Sequence, residues 1–114
     1  MVNELANGGT TKRVALVTGC GKETGIGAET ARVLARRGVT VVVADLAMAG
    51  VANLTDANDQ RRWRGLPDLV DEIVGEGGTA TSILGSVGEE ADAKRMVDEV
   101  VARYGRVDIL VNNA

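Results

Sequence analysis

Short runs of apolar residues alternate along the chain with longer segments in which apolar residues recur at helical spacing. The apolar runs lie at 13–18, 39–44, 79–84 and 107–111, and the helical segments lie at 25–37, from about 65–67 to 75–78, and at 89–104. The first run has a continuous apolar centre, which is typical of a strand covered on both faces. The order β-α-β-α-β-α-β therefore predicts an α/β domain in which βαβ units build a parallel sheet.

Each predicted helix carries one apolar stripe that we expect to pack on the sheet. The stripe residues are Ala28, Ala31, Leu34 and Ala35 in the first helix, Leu66, Leu69, Val70, Ile73 and Val74 in the second, and Ala93, Met96, Val97, Val100, Val101 and Tyr104 in the third. Because crossover connections between parallel strands are right-handed, the first two helices should lie on one face of the sheet and the third on the other.

Two segments stand outside this alternation. Residues 1–12 are predicted to form a polar tail ahead of a domain over 13–114, and residues 46–64 are predicted to form an irregular insertion. The tail lacks the basic start and apolar core of a signal peptide, and no apolar run reaches the roughly 20 residues that a membrane span requires. We therefore expect a cytoplasmic protein without a membrane segment.

Composition argues against several kinds of site. Cys20 is the only cysteine and the chain has no histidine, so neither an internal disulfide nor a metal site is expected. The formal net charge of −3 and the presence of only two aromatic residues argue against nucleic-acid binding. A local basic cluster consists of Arg61, Arg62 and Arg64. We interpret this cluster as part of a solvated loop rather than as a phosphate site.

The sequence VTGCGKETGIG, residues 17–27, is the strongest functional motif. It follows the first predicted strand and opens the first predicted helix, where unpaired backbone N–H groups and the helix dipole attract a diphosphate. In a dinucleotide site, Gly19 would permit the tight turn, Gly25 the approach of the ligand, and Gly27 the packing of the helix on its strand. The alternative is that these glycines serve only turns and packing. Cys20 has no histidine to activate it and is predicted to fill space in the loop.

Asp45 lies at the end of the second predicted strand. A carboxylate there would accept hydrogen bonds from both hydroxyls of an adenosine ribose and would repel a 2′-phosphate, so the sequence favours NAD over NADP. Lys22, inside the glycine-rich segment, is the one feature that favours NADP. The alternative for Asp45 is that its carboxylate only caps a loop.

LVTG leading into GIG, then VVVADL, then YGRVDILVNNA together resemble the N-terminal half of the short-chain dehydrogenase/reductase family in order and approximate spacing. The resemblance covers the chain after residue 12. It implies a partial Rossmann-like, doubly wound parallel sheet with the strand order 3-2-1-4, and a nicotinamide cofactor across the carboxyl ends of the strands. The residues that it implies for cofactor binding are Gly19, Gly25, Ile26 and Gly27 for the diphosphate, Asp45 and Leu46 for the ribose, and Asn112, Asn113 and Ala114 for the adenine side and the central strand.

Two features depart from the family's pattern. Five residues, CGKET, separate the first two loop glycines where the family usually has three, and we interpret the extra pair as a bulge in the loop. The longer gap is similar to the divergent loop of enoyl reductases, whereas the GIG ending favours the ordinary dehydrogenases. Ser86 stands where the family often has an aspartate that meets the adenine. We expect adenine to be held mainly through Val87 and backbone groups.

The resemblance further implies an oxidoreductase that moves hydride between the cofactor and an alcohol or ketone. Family catalysis uses a serine and a tyrosine followed four residues later by a lysine, and this chain has no matching set. Tyr104 is followed four residues on by Asp108 and is predicted to pack in the core. We therefore expect no catalytic residue in the chain.

The chain is accordingly expected to be the cofactor-binding half of an enzyme, inactive alone and completed by a companion polypeptide or by a missing C-terminal half. Its fourth strand would then be an apolar edge of the sheet where the complete fold has another strand. The resemblance implies a homo-oligomer once the enzyme is complete. Two alternatives remain: a non-catalytic nucleotide-binding module, and a structural subunit that binds no nucleotide.

Overall fold

The computed structural model describes residues 12–47 and 63–113. Within these residues, four strands alternate with three helices. The strands are β1 (Val14–Val17), β2 (Thr40–Asp45), β3 (Ala80–Leu84) and β4 (Ile109–Val111), and the helices are α1 (Ile26–Arg36), α2 (Leu66–Gly75) and α3 (Glu90–Tyr104). The predicted order of elements is confirmed, and the boundaries differ from the predicted ones by one or two residues, as is usual at fraying ends.

The strands form one parallel sheet in the order β3-β2-β1-β4. In the register of this sheet, Val17 at the end of β1 lies opposite Val43 on one side and Val111 on the other. Asp45 at the end of β2 lies opposite Leu84. The partial Rossmann-like fold and its strand order are therefore confirmed, and the carboxyl ends of all four strands meet at one edge of the sheet.

Side chains alternate across the strands and form two apolar layers. On one face, Ala15, Val17, Val41 and Val43 pack against α1 and α2. On the other face, Val14, Leu16, Val42 and Ala44 pack against α3. The predicted distribution of helices over the two faces is confirmed. The contact of α1 uses three alanines, Ala28, Ala31 and Ala35, whose small side chains let the helix backbone lie close to the sheet.

The apolar stripes of α2 and α3 are narrower than predicted. In α2 the buried positions are Leu66, Leu69 and Ile73, whereas Val74 is 52% exposed. In α3 the buried positions are Met96 and Val100, and Val101 is 44% exposed. Val74 and Val101 each follow a buried residue directly, so they are rotated by about 100° from the line of contact with the sheet.

Asp108 fastens the start of β4 to β1. Its backbone N–H donates to the carbonyl of Val14 at 2.8 Å, and its Oδ2 accepts from the Val14 N–H at 2.8 Å. The Arg106 guanidinium lies 2.7 Å from the same carboxylate and, with the Val14 N–H, holds the pKa of Asp108 below its usual value. On its other side β4 has no strand partner among the described residues, and Leu110 is 59% exposed.

Some predictions fall outside the described residues. These are most of the polar tail 1–12, most of the irregular insertion 46–64 with Arg61 and Arg62, and Ala114. Within residues 12–47 and 63–113, none of the helices has the length and apolar character needed to cross a bilayer.

Candidate functional site

The segment that joins β1 to α1, residues 19–25, is called the glycine loop below. It begins at Gly19, whose φ of 70° lies in the left-handed region that favours glycine. The loop closes with a turn in which the Gly25 N–H donates to the Lys22 carbonyl at 3.1 Å, and α1 starts at Ile26. The first N–H groups of a helix have no partner within the helix, so the positive end of α1 faces the carboxyl edge of the sheet.

Gly27 has no room for a side chain. A Cβ at this position would lie 2.4 Å from the Gly19 carbonyl oxygen and 2.8 Å from the Asn113 amide nitrogen Nδ2. At Gly25 a Cβ would lie 3.3 Å from the Lys22 carbonyl oxygen. The close approach expected at Gly27 is therefore present, although its immediate neighbours are the glycine loop and Asn113 rather than β1 itself.

Cys20 points into the core instead of towards a ligand. Its side chain is fully buried, its Sγ donates to the Val17 carbonyl at 3.2 Å, and its N–H donates to the Ala44 carbonyl at 3.0 Å. Burial raises the pKa of the Cys20 thiol to about 12. A protonated thiol is a poor nucleophile, so the geometry agrees with the predicted space-filling role.

The Asp45 carboxylate lies against the glycine loop. Its Oδ2 accepts a hydrogen bond from the Gly21 N–H at 2.7 Å, and its Oδ1 accepts one from the Leu46 N–H at 2.7 Å. Each carboxylate oxygen can accept more than one hydrogen bond, so these contacts leave capacity for hydroxyl donors. Asp45 thus holds a loop, as the alternative interpretation stated, and it lies at the carboxyl edge of the sheet. Leu46 beside it is 71% exposed.

Residues 85–88, called the β3–α3 loop below, follow the neighbouring strand. The Gly85 N–H donates to the Asp45 carbonyl at 3.1 Å, which places this loop next to the end of β2. The Ser86 N–H donates to Asp92 Oδ2 at 3.0 Å, and Ser86 Oγ accepts from the Gly88 N–H at 3.2 Å. Val87 is 37% exposed. Ser86 and Val87 therefore lie at the same edge of the sheet as Asp45.

The end of β4 is tied to the end of β1. Thr18 Oγ1 donates to the Val111 carbonyl at 3.3 Å and accepts from the Asn113 N–H at 3.0 Å. Asn113 Nδ2 lies 3.4 Å from the Gly19 carbonyl oxygen. Asn112 is exposed. Asn113 therefore supports the glycine loop directly.

Three residues that shape the loop were not expected from the sequence. Thr18 links β1 to β4 as described above, Trp63 Nε1 donates to the Gly21 carbonyl at 2.8 Å, and Arg32 Nη1 donates to the Glu23 carbonyl at 2.9 Å. A signal existed for two of them: Thr18 is a polar residue at the end of a buried strand, and Trp63 is the only tryptophan in the chain.

Tyr104 lies away from this edge. It packs against the apolar layer of α3, and its hydroxyl is 3.1 Å from Thr81 Oγ1. A cavity of about 330 Å³ between α3 and the neighbouring strands β2 and β3 is lined in part by these two residues. The predicted core position of Tyr104 is confirmed. Among the residues that the structure describes, no cluster of three or more histidine, cysteine or acidic side chains has metal-binding geometry.

The residues at the carboxyl edge fit a dinucleotide. The backbones of Gly19 and Gly27 lie close together near the positive end of α1, and the Asp45 carboxylate bonds to the glycine loop beside them. A parallel sheet with these features at its carboxyl edge defines the class of Rossmann-like dinucleotide-binding domains.

The sequence from residue 13 to residue 114 matches a protein-family model that is described as short chain dehydrogenase. The chain therefore belongs to the short-chain dehydrogenase/reductase family of oxidoreductases.

Similar proteins and solved structures agree with this family membership. Peroxisomal multifunctional enzyme type 2 of Drosophila melanogaster is 41% identical over 102 residues, which are 90% of this chain and 15% of that protein. Cyclohexanol dehydrogenase of an Acinetobacter species is 38% identical over 102 residues, 90% of this chain and 34% of that protein. The crystal structure of a metagenomic short-chain oxidoreductase in complex with NADP has a TM-score of 0.71 and 32% identity, covering 90% of this chain and 38% of that one. The chain thus spans about a third, or less, of the length of these relatives.

Proposed function

We propose that the chain is the cofactor-binding half of an NAD-dependent oxidoreductase that acts on an alcohol or a ketone. The nicotinamide ring, when bound, supplies or accepts the hydride. The residues that would hold the cofactor are Gly19, Gly25, Ile26 and Gly27 at the diphosphate, Asp45 and Leu46 at the ribose, Ser86 and Val87 at the adenine, and Asn112 and Ala114, which follow β4 in the sequence.

The position of Asp45 is the observation that supports NAD rather than NADP as the cofactor. Its carboxylate lies within hydrogen-bonding distance of the Gly21 N–H and is therefore fixed against the glycine loop. A fixed negative charge at the ribose position repels a 2′-phosphate and accepts hydrogen bonds from ribose hydroxyls. Lys22 is exposed and on the loop, and it is the group that would counter this preference.

The catalytic groups would come from outside the chain. Within the 114 residues, the Tyr104 hydroxyl lies 3.1 Å from Thr81 Oγ1 on the α3 face, and no lysine stands four residues after Tyr104. We propose that a serine and a Tyr-X-X-X-Lys set reach the site from a companion polypeptide or from a further half of the fold, and that the 114 residues alone do not turn over substrate. Cytoplasmic location and assembly into a homo-oligomer belong to the same proposal.

Binding of NADH and NADPH to the purified chain, measured by isothermal titration calorimetry, tests the proposal. We expect NADH to bind at least about tenfold more tightly than NADPH, which corresponds to about 1.4 kcal/mol. Asp45→Ala should remove that preference, whereas Asp98→Ala, which changes an exposed carboxylate on α3, should keep it. Equal affinity of the unaltered chain for both cofactors would refute the NAD preference. Failure to bind either one would favour the structural-subunit alternative.

Turnover separates the remaining alternatives. The chain should bind NADH, yet it should neither oxidise NADH with ketone substrates nor reduce NAD⁺ with alcohol substrates until a polypeptide that carries the Ser and Tyr-X-X-X-Lys set is added. Activity of the chain alone would contradict the proposed division of the enzyme. Binding without activity in the presence of such a partner would favour a non-catalytic nucleotide-binding module.

A further inference from the structure

Trp63 reaches the glycine loop from a distant part of the chain. It lies just before α2, is half-buried, and packs against the apolar layer formed with α1 and α2. Its indole Nε1 donates to the Gly21 carbonyl at 2.8 Å. The N–H of the same residue, Gly21, donates to Asp45 Oδ2 at 2.7 Å. Gly21 is therefore held on one side by the ribose-site carboxylate and on the other by Trp63.

Arg32 holds the loop two residues further on. Its Nη1 donates to the Glu23 carbonyl at 2.9 Å, while its Nε and Nη2 lie 2.7 and 3.2 Å from the two carboxylate oxygens of Glu72 on α2. The Arg32 side chain is only 12% exposed, and its guanidinium carbon lies 6.0 Å from the centre of the Trp63 ring. The guanidinium thus connects α1, α2, the indole and the loop at one place, and a planar group with several donors suits that arrangement.

The glycine loop, which these two side chains hold, has an unusual length. Five residues, 20–24, separate its first and last cofactor-site glycines, Gly19 and Gly25. A longer loop has more conformations to lose when a ligand orders it, and this loss weakens binding unless the loop is already fixed. The contacts from Trp63 and Arg32 fall on the carbonyl groups of Gly21 and Glu23, inside the lengthened segment.

We propose that Trp63 and Arg32 are positioning residues that hold the lengthened glycine loop in its cofactor-binding conformation and, through Gly21, keep the Asp45 carboxylate in place. The inference rests on the proposed function, because it concerns the same dinucleotide site. Neither side chain touches the reacting part of the cofactor in this proposal. Each acts through the backbone of the loop.

Trp63→Phe is the sharpest test, because it keeps an aromatic ring in the apolar layer and removes the N–H that bonds to Gly21. We expect the Kd for NADH, measured by calorimetry, to rise about fivefold, the effect of losing one hydrogen bond. The melting temperature should fall by only about 4 °C, since a single hydrogen bond is lost. Hydrogen exchange of the ligand-free chain should become faster in residues 20–24 and stay unchanged in α3, a local effect that loss of general stability would not produce.

Arg32→Lys tests the second contact. It keeps the positive charge near Glu72 but replaces the planar fork, so the loop should exchange faster and NADH should bind more weakly, by about the same factor as in Trp63→Phe. Arg36→Lys is the matched control, since Arg36 lies one turn later on α1, is 54% exposed and pairs with Glu76 at 3.7 Å, away from the loop. This control should leave both measurements unchanged.

The outcomes separate this inference from the proposed function. If the unaltered chain binds NADH and both Trp63→Phe and Arg32→Lys bind it equally well, the positioning role is overturned and the proposed function stands. The role is also overturned if exchange in residues 20–24 stays the same in both variants. If the unaltered chain does not bind NADH, the proposed function and the inference built on it both fail.

Discussion

The glycine loop and the β3–α3 loop lie at the same edge of the sheet but are held in different ways. The glycine loop is held by side chains far away in the sequence: Trp63 is 42 positions from Gly21, and Asn113 is 94 positions from Gly19. The side-chain hydrogen bonds of the β3–α3 loop come from residues two and six positions away. The side chains that hold the glycine loop therefore come from across the fold, whereas those that hold the β3–α3 loop come from its own neighbourhood.

This difference indicates how the two loops should respond to change. The glycine loop should be rigid while the sheet and both helices on its face are in place, because side chains from α1 and from the segment before α2 bond to its carbonyl groups. The β3–α3 loop can adjust by itself. The diphosphate and ribose positions are thus expected to be preformed, and the adenine position to be adaptable.

The largest expected difference concerns thiol reactivity. Because burial raises the pKa of Cys20 from 9.0 to about 12, the fraction of thiolate at neutral pH falls about a thousandfold. A cysteine placed on the β3–α3 loop by Val87→Cys should titrate as an ordinary exposed thiol. The Val87→Cys variant has two cysteines. Iodoacetamide should modify the cysteine at position 87 at least about a hundredfold faster than Cys20, as measured by peptide mass spectrometry. Similar rates at the two positions would show that the glycine loop opens readily.

The raised pKa of Cys20 also has a consequence for stability. A group whose pKa is higher in the folded state contributes stability that is present below its ordinary pKa and is lost as pH rises towards the folded value. The chain should therefore lose stability to urea between about pH 9 and about 12, and Cys20→Ala should lose less over the same interval. An equal loss in both proteins would contradict the burial of the thiol.

Gly27→Ala should cause the next largest effect. A Cβ 2.4 Å from the Gly19 carbonyl and 2.8 Å from Asn113 Nδ2 forces the loop and the end of β4 apart. We expect a loss of about 3 kcal/mol in the free energy of unfolding, the upper part of the usual range for overpacking, together with loss of NADH binding. The control on the other loop is Gly88→Ala, whose Cβ would lie 3.6 Å from Ser86 Oγ, an ordinary contact. The free energy of unfolding of both variants is measured in urea. A smaller loss in Gly27→Ala than in Gly88→Ala would refute the close packing at Gly27.

Thr18→Val should have an intermediate effect. The substitution keeps the shape of the side chain but removes the hydroxyl that accepts from the Asn113 N–H at 3.0 Å. Leaving that group without its partner should cost about 1–2 kcal/mol in the free energy of unfolding. Thr18→Ser keeps the hydroxyl and is the control. Hydrogen exchange at Asn113 should rise in the valine variant, and unchanged exchange there would show that the link between β1 and β4 does not depend on Thr18.

The elements of the fold could be predicted because their signals are local. The spacing of Ala28, Ala31 and Ala35 defines a helix face, and the run from Val14 to Val17 defines a buried strand, without knowledge of any partner. The number of stripe residues that become buried cannot be predicted from local spacing, since it depends on how much of the sheet the helix covers. Val74 was therefore wrongly included in the buried set.

The site was predictable to the extent that it follows a motif. Gly27 could be placed because glycine is needed wherever two backbones approach closely, and Asp45 because an acidic residue at the end of β2 is part of the same pattern. Arg32 carried no signal, and Trp63 stood out only as the single tryptophan. Neither could be placed at the loop, because their hydrogen-bond partners are backbone carbonyls that any residue supplies. Only the folded arrangement of α1 and α2 shows that these side chains reach the glycine loop.

Asp92→Ala should have the smallest effect. The Asp92 carboxylate accepts from the Ser86 N–H at 3.0 Å, but this contact is local and partly exposed. Alanine has the higher intrinsic helix propensity, which offsets the loss of a favourable negative charge in the first turn of α3. We expect a change of about 0.5 kcal/mol or less in the free energy of unfolding, and a change in the Kd for NADH of less than about twofold. The Ser86 amide should nevertheless exchange faster, since its acceptor is gone. If Asp92→Ala weakens NADH binding as much as Trp63→Phe does, the β3–α3 loop is as strongly coupled to the cofactor site as the glycine loop, and the contrast between the two loops is wrong.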